Sequence, residues 1–273
     1  MSRIISYFSC GAASAVATKL ALTTKDRPAE NISVINFEVK EEHPDNARFL
    51  KECEAWFGVP VYTVGNDDYG RSADRVFRET RYLVGPRGAR CTGELKKAMR
   101  WEYGLPDDIV VMGYTVEEKH RLKRLRQSEP LLQMWPILIE RGLTKKDCLA
   151  ILERAGIELP AMYKLGYHNN NCIGCVKGQA GYWNKIRIDF PERFAEMARI
   201  ERELGRTICK REWTENGERK RERIYLDELP PDLGKYATED EPQCGIFCQM
   251  ASQEIESMAE TPLSTKEQGD DAL

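Results

Sequence analysis

Five of the nine cysteines stand at spacings that suit sulfur or metal chemistry. Cys91 lies in Arg90-Cys91-Thr92-Gly93-Glu94-Leu95-Lys96. Far downstream come Cys172-Ile173-Gly174-Cys175 and then Cys244-Gly245-Ile246-Phe247-Cys248. Thiolates are soft ligands, and a two-residue gap lets both sulfurs of a CxxC turn toward one metal or cluster. Cys172 and Cys175 therefore read as a zinc pair, a redox dithiol or two ligands of an iron–sulfur cluster, with a chance pair in a glycine-rich loop as the bland alternative. Zinc would need two further ligands. The chain has only three histidines, and His168 alone is near the pair in sequence. Cys10, Cys53, Cys148 and Cys209 have helical or loop contexts and are expected to be packing residues.

These sulfurs must be positioned by a fold. Arg3-Ile4-Ile5-Ser6-Tyr7-Phe8 predicts a strand, followed by the small-residue turn Ser9-Cys10-Gly11-Ala12-Ala13-Ser14 and an alanine-rich helix over 14–23. Strands are expected over 33–37, 59–64 and 109–112, and helices over 45–57 and 92–103. This β-α-β alternation predicts an α/β, doubly wound, mostly parallel sheet, with ligands beyond the strands' carboxyl ends near Ser9–Ser14 and Gly113–Glu118. Thr144-Lys145-Lys146-Asp147 predicts a capped helix start. Residues 160–181 read as loop, and 182–204 as helix interrupted at Pro191. Asn216-Gly217 predicts the turn of a hairpin. The expected organisation is a nucleotide-binding part over 1–130, a C-terminal part over 131–250 with the CxxC and hairpin, and a flexible tail over 251–273.

A strand, a small-residue turn and a helix N-terminus together make an anion site. Ser9, Gly11 and Ser14 supply the turn and two hydroxyls. This turn resembles the PP-loop of the adenine nucleotide alpha-hydrolase superfamily. Beyond it the chain resembles the iron–sulfur-containing phosphoadenosine phosphosulfate (PAPS) reductase branch. Gly113-Tyr114-Thr115-Val116-Glu117-Glu118 followed by Arg121 is similar to that branch's second nucleotide segment. Trp135-Pro136-Ile137, Asp147, Pro160-Ala161-Met162-Tyr163-Lys164-Leu165-Gly166 and the CxxC follow in its order, so the resemblance spans roughly 3–200 and again 243–247. It implies a PP-loop, Rossmann-like fold and an adenine nucleotide or sulfonucleotide held by Ser9, Gly11, Ser14, Gly113, Glu117 and Arg121. Members that split ATP carry an aspartate just before the last loop serine. Ala13 stands there instead, and an absent oxygen ligand for Mg²⁺ favours a reductase-like reaction on an already activated substrate.

In the cluster-containing members, a paired cysteine ahead of a leucine–lysine segment joins a distant CxxC to hold a 4Fe-4S cluster. Cys91 with Leu95 and Lys96 resembles the first element with one cysteine only. The implied ligands Cys91, Cys172 and Cys175 are then one short. Cys248 or Cys244 completes the set, or one iron stays open, as in cluster-dependent thiolation enzymes. Gln243-Cys244-Gly245-Ile246-Phe247 resembles the reductases' C-terminal Glu-Cys-Gly-(Ile/Leu)-His, which implies Cys244 as the catalytic nucleophile and a thiol reductant protein as partner. Gln243 and Phe247 depart from that pattern.

Composition agrees with an ordinary globular chain: 41% hydrophobic and 31% charged residues and a net charge of -3. No apolar run suits a membrane span, and the opening residues lack a long apolar region, so a cytoplasmic protein with no membrane partner is expected. The charge gives no global drive toward nucleic acid, although Lys210, Arg211, Arg219, Lys220, Arg221 and Arg223 make the 210–225 hairpin a possible local site. A homo-oligomer is expected. The leading expectation is a PAPS reductase-like oxidoreductase. The rivals are an iron–sulfur-dependent sulfur transferase that thiolates nucleic acid and a non-catalytic nucleotide-binding module.

Overall fold

Ile4–Tyr7 (β1) is buried along its whole length, as a strand paired on both edges and covered on both faces must be. In this computed structural model, which describes residues 3–24, 31–86 and 88–238, it is the centre of a five-stranded sheet. Its partners are Ile32–Phe37 (β2), Val61–Val64 (β3), Ile109–Val111 (β4) and Gln133–Trp135 (β5), in the order β3-β2-β1-β4-β5. All pairs are parallel, with Ile4 opposite both Ile32 and Ile109. The chain runs outward from β1 through β2 to β3 and then crosses to the other side for β4. That reversal leaves a crevice at the carboxyl ends of β1 and β4.

Helices cover both faces, so the sheet is doubly wound as expected. Ala12–Thr23 (α1), Asn46–Phe57 (α2), Ala73–Thr80 (α3), the helical segment 90–103 (α4), Lys119–Ser128 (α5), Ile137–Glu140 (α6) and Lys145–Arg154 (α7) follow one another. Val16, Phe49, Leu138 and Leu152, from α1, α2, α6 and α7, pack on Ile4, Val34 and Val111. Met99 of α4 and Leu122 and Leu125 of α5 pack on Ile5, Tyr7 and Ile35 of the opposite face. No helix among the described residues is long and apolar enough to cross a membrane.

The rest of the chain builds a separate core. Ala161–Lys164 (α8) sits inside the segment expected as loop. Ala180–Asp189 (α9) and Pro191–Leu204 (α10) flank Phe190, with Pro191 at the first turn of α10, where its missing N–H costs nothing. Trp183, Ile186, Met197 and Ile200 form this core together with Phe77 of α3 and Leu83 and Leu95 upstream. Cys209–Glu215 (β6) and Glu218–Ile224 (β7) pair antiparallel. Asn216 and Gly217 between them both take positive φ, 52° and 79°, as the tight hairpin turn requires. Gln243, Cys244, Phe247, Cys248 and the 251–273 tail lie outside the described residues.

Glu201 of α10 fastens both feet of the hairpin. It is fully buried and accepts the Ile208 N–H and the Leu226 N–H, each at 2.5 Å. Burial pushes its carboxyl up to about 7, against the two backbone donors and Arg202, which favour the ionised form, while Asp227 adds to the upward push. A carboxyl raised on folding stabilises most below its unfolded value. Stability therefore falls as pH rises from about 4.5 through 7, by about 1–3 kcal/mol. Urea unfolding between pH 5 and 8 measures this slope, and Glu201→Gln, which mimics the protonated side chain, is expected to flatten it.

Candidate functional site

The turn after β1 is shaped by one left-handed residue. Cys10 has φ 54°, a conformation that costs a non-glycine residue about 1 kcal/mol or more and needs support. Buried asparagines supply it. Asn36 Nδ2 of β2 donates to the Phe8 carbonyl at 2.8 Å, and Asn170 Nδ2 donates to the Cys10 carbonyl at 2.6 Å. Asn170 also donates to Asn46 Oδ1 (2.7 Å), Asn46 to Glu42 (2.9 Å), and Lys96 Nζ to Glu42 (3.2 Å). The turn is thus tied to α2, to α4 and to the 167–172 segment through one polar chain.

Inside the turn the two predicted serines face one another. Ser14 Oγ donates to the Gly11 carbonyl (2.9 Å) and accepts from the Ser9 N–H and the Ser9 hydroxyl, both at 3.2 Å. These hydroxyls close the loop, which leaves backbone N–H groups of the first turn of α1 as its natural anion donors. Gly113 lets the end of β4 reach it. A Cβ at Gly113 would lie 2.5 Å from Ser14 N and 2.7 Å from the Ala13 carbonyl carbon.

Ser9, Gly11, Ser14, Gly113, Glu117 and Arg121, the six residues expected to hold a nucleotide, line a single cavity of about 380 Å³ at the carboxyl ends of β1, β2 and β4. Arg121 pairs with Glu118 and stacks over Tyr114, 5.0 Å from its ring centroid, so its guanidinium is held rather than mobile. Glu117 accepts the Lys145 N–H at 3.2 Å. Burial alone would raise its carboxyl, but the Thr115 hydroxyl and nearby N–H groups hold it below the usual range, so it is ionised at neutral pH.

The cavity also has lining residues that were not expected to contact a ligand, three of them inside the segments quoted above and three outside any motif. Lys96, Lys145, Tyr163 and Asn169–Asn171 complete it. Lys145 Nζ donates to Asn169 at 2.7 Å, and the Tyr163 hydroxyl accepts the Ala12 N–H at 3.4 Å. The signal at Lys145 was its place just after the Thr144 cap, which the structure shows as a reciprocal box with Asp147. The asparagine run carried no periodicity, and only the fold brings it beneath the turn.

The CxxC lies in the C-terminal core. The Ile173 N–H donates to the Glu41 carbonyl (2.8 Å), and Arg193 Nε donates to the Ile173 carbonyl (3.0 Å). The same guanidinium grips both oxygens of Asp74, at 2.5 and 2.7 Å. The Tyr182 hydroxyl accepts the Cys175 N–H (2.9 Å) and donates to the Cys172 carbonyl (3.2 Å). Gly174 takes φ 70°, and a Cβ there would press on Trp183 and Arg193 at 3.1 Å. Tyr236 packs beside this loop with its ring 4.7 Å from His168 and 6.0 Å from Tyr182.

Cys91 and Cys172 are half-buried, Cys175 is buried, and all three belong to the same apolar cluster. Among the described residues no group of three or more His, Cys, Asp or Glu side chains is gathered as a metal site. Cys10, Cys53, Cys148 and Cys209 are buried as expected of packing residues. Burial pushes the Cys53 and Cys148 thiols up to about 12 and Cys10 higher, which leaves them unreactive near neutral pH.

Two glycines of the cavity make opposite predictions. Gly113→Ala sets a methyl against turn backbone that cannot yield cheaply, so a loss of about 1–3 kcal/mol is expected in thermal or urea unfolding. Gly11→Ala meets nothing nearer than 3.6 Å and has φ -103°, so its unfolding midpoint should stay close to wild type. Comparison with known proteins returned no matching family model and no matching curated relative, so the cavity and its residues carry the functional reading.

Proposed function

We propose that the cavity binds an adenine nucleotide bearing a sulfonate and that the protein is a PAPS reductase-like oxidoreductase acting on it. One observation carries this reading: the turn 9–14, the α1 N-terminus, Gly113, Glu117 and Arg121 line one cavity at the switch point of a parallel sheet. Phosphate oxygens suit the first-turn N–H groups of α1, where the helix dipole favours negative charge. Lys96, Lys145 and Arg121 add cationic charge on the cavity wall. Ionised Glu117 would repel phosphate and instead suits ribose hydroxyls as donors. Tyr7, Phe8, Ile35 and Phe37 give the apolar surface against which a purine can pack.

The proposed chemistry needs only thiols. The Cys244 thiolate attacks the sulfonate sulfur, and the bond from that sulfur to the phosphate oxygen breaks, its electron pair leaving with the nucleotide. A thiol of the reductant protein then attacks Cys244 Sγ. Sulfite departs with the electrons of the sulfur–sulfur bond, and a second reductant thiol closes the disulfide that regenerates Cys244. With Cys244 as the nucleophile, a 4Fe-4S cluster would enter this reading only through Cys91, Cys172, Cys175 and Cys248, the last outside the described residues.

Anaerobic calorimetry with adenosine 5′-phosphosulfate and with AMP tests the binding. Micromolar binding is expected, weakened at least tenfold by Lys145→Ala, and absence of binding at millimolar nucleotide would overturn the reading. Sulfite release in the presence of a dithiol tests the reaction, with Cys244→Ser expected to abolish it while nucleotide affinity stays unchanged. Iron and sulfide analysis of anaerobically purified protein tests the cluster. About four irons per chain are expected, lost in Cys172→Ser.

A further inference from the structure

The β6–β7 hairpin projects into solvent beyond its first rung. Cys209 and Ile224 pair at the buried end, and from Lys210 to Arg223 every side chain is exposed except half-buried Glu212. Side chains alternate between the two faces of a strand, and the register sorts the charges. The face continuous with Cys209 and Ile224 carries Arg211, Trp213, Glu215, Glu218, Lys220 and Glu222. Its two cations are paired, Arg211 with Glu222 at 2.9 Å and Lys220 with Glu215, which leaves Glu218 and a net charge of -1, and Arg211 also lies 5.3 Å from the Trp213 ring centroid.

The opposite face carries Lys210, Glu212, Thr214, Arg219, Arg221 and Arg223. Four cations share it with one carboxylate, and Glu212 is already contacted by both Lys210 (2.8 Å) and Arg219. Three of the cations, Arg219, Arg221 and Arg223, follow one another along β7 on this face. Such residues recur every ~6.8 Å, close to the step of phosphates along an extended nucleic-acid strand. Glu201 fixes the feet of the hairpin, so the cationic row is held at a set angle to the body.

We propose that this face docks a nucleic-acid strand through its phosphate backbone. The excess of like charge on one face, at phosphate spacing, suits the sugar–phosphate chain. Binding is therefore independent of sequence and sensitive to salt. The surface lies on the hairpin rather than in the cavity, so it stands whether or not the cavity takes a sulfonucleotide.

Fluorescence anisotropy of the full chain with a labelled 20-nucleotide single-stranded DNA tests it, with the duplex and anionic phosphatidylserine vesicles as further arms. Single-strand binding is expected, with a log–log salt slope of about -2 for three phosphate contacts. Arg219→Gln/Arg221→Gln/Arg223→Gln should weaken it at least tenfold and flatten that slope. The Arg211→Glu/Glu222→Arg exchange, which keeps the net charge and alters only the other face, should change affinity less than twofold. Absence of DNA binding at 50 mM salt, equal loss in the two variants, or vesicle binding without DNA binding would each overturn the proposal. Circular dichroism on each variant separates loss of binding from loss of fold.

Discussion

The left-handed turn at Cys10 is the constraint on which the cavity depends. Between β1 and α1 the chain must turn within a few residues, and it does so without glycine at the strained position. Asn36 from β2 and Asn170 from the C-terminal half hold the two carbonyls that flank the strain. Both amides are at least nine-tenths buried, where a hydrogen bond is worth most and an unmade one costs most. Through Asn46, Glu42 and Lys96 the same network reaches α4. The turn 9–14 and the cysteine-bearing half are therefore parts of one polar scaffold.

The cavity's charge is organised before any ligand arrives. Lys96 is set by Glu42, Arg121 by Glu118 and Tyr114, and Lys145 by Asn169. Each side chain has already lost much of its rotamer freedom, so a bound anion need not order it again. This local arrangement coexists with a net charge of -3 over the chain. Global charge describes solubility and long-range steering, whereas a few placed cations decide what enters a crevice.

The central sheet was legible because β1, β2 and β4 are short apolar runs bounded by turns, and the turn 9–14 was legible because its residues are small and follow a strand directly. β5 was not. It spans three residues, Gln133 is exposed, and no alternation distinguishes it from loop. α3 carried a readable start, since Ser72 caps it by accepting the Arg75 N–H and Asp74 lies in its first turn. Its short apolar stripe of Ala73, Val76 and Phe77 was too brief to stand out. Segment 92–103 reads as an ordinary helix, yet Gly93–Lys97 winds as a π-helix, a wider winding common near functional sites. Lys96 stood in a segment read for its cysteine rather than for the cavity, and the asparagine run entered the site only through tertiary contacts, which no spacing rule encodes.

The separate core around Trp183 has a consequence for how the chain reaches its native state. Val76, Phe77, Leu83 and Leu95 are made early, between β3 and β4, but the surface they pack on comes from Met162, Trp183, Met197 and Ile224. Contacts this distant in sequence slow folding, because long loops must close before any burial rewards them. On the ribosome this early segment emerges well ahead of its partners and stays exposed meanwhile. Synthesis thus passes through a stage in which an apolar insertion has no core, and such stages are where chaperones find their clients.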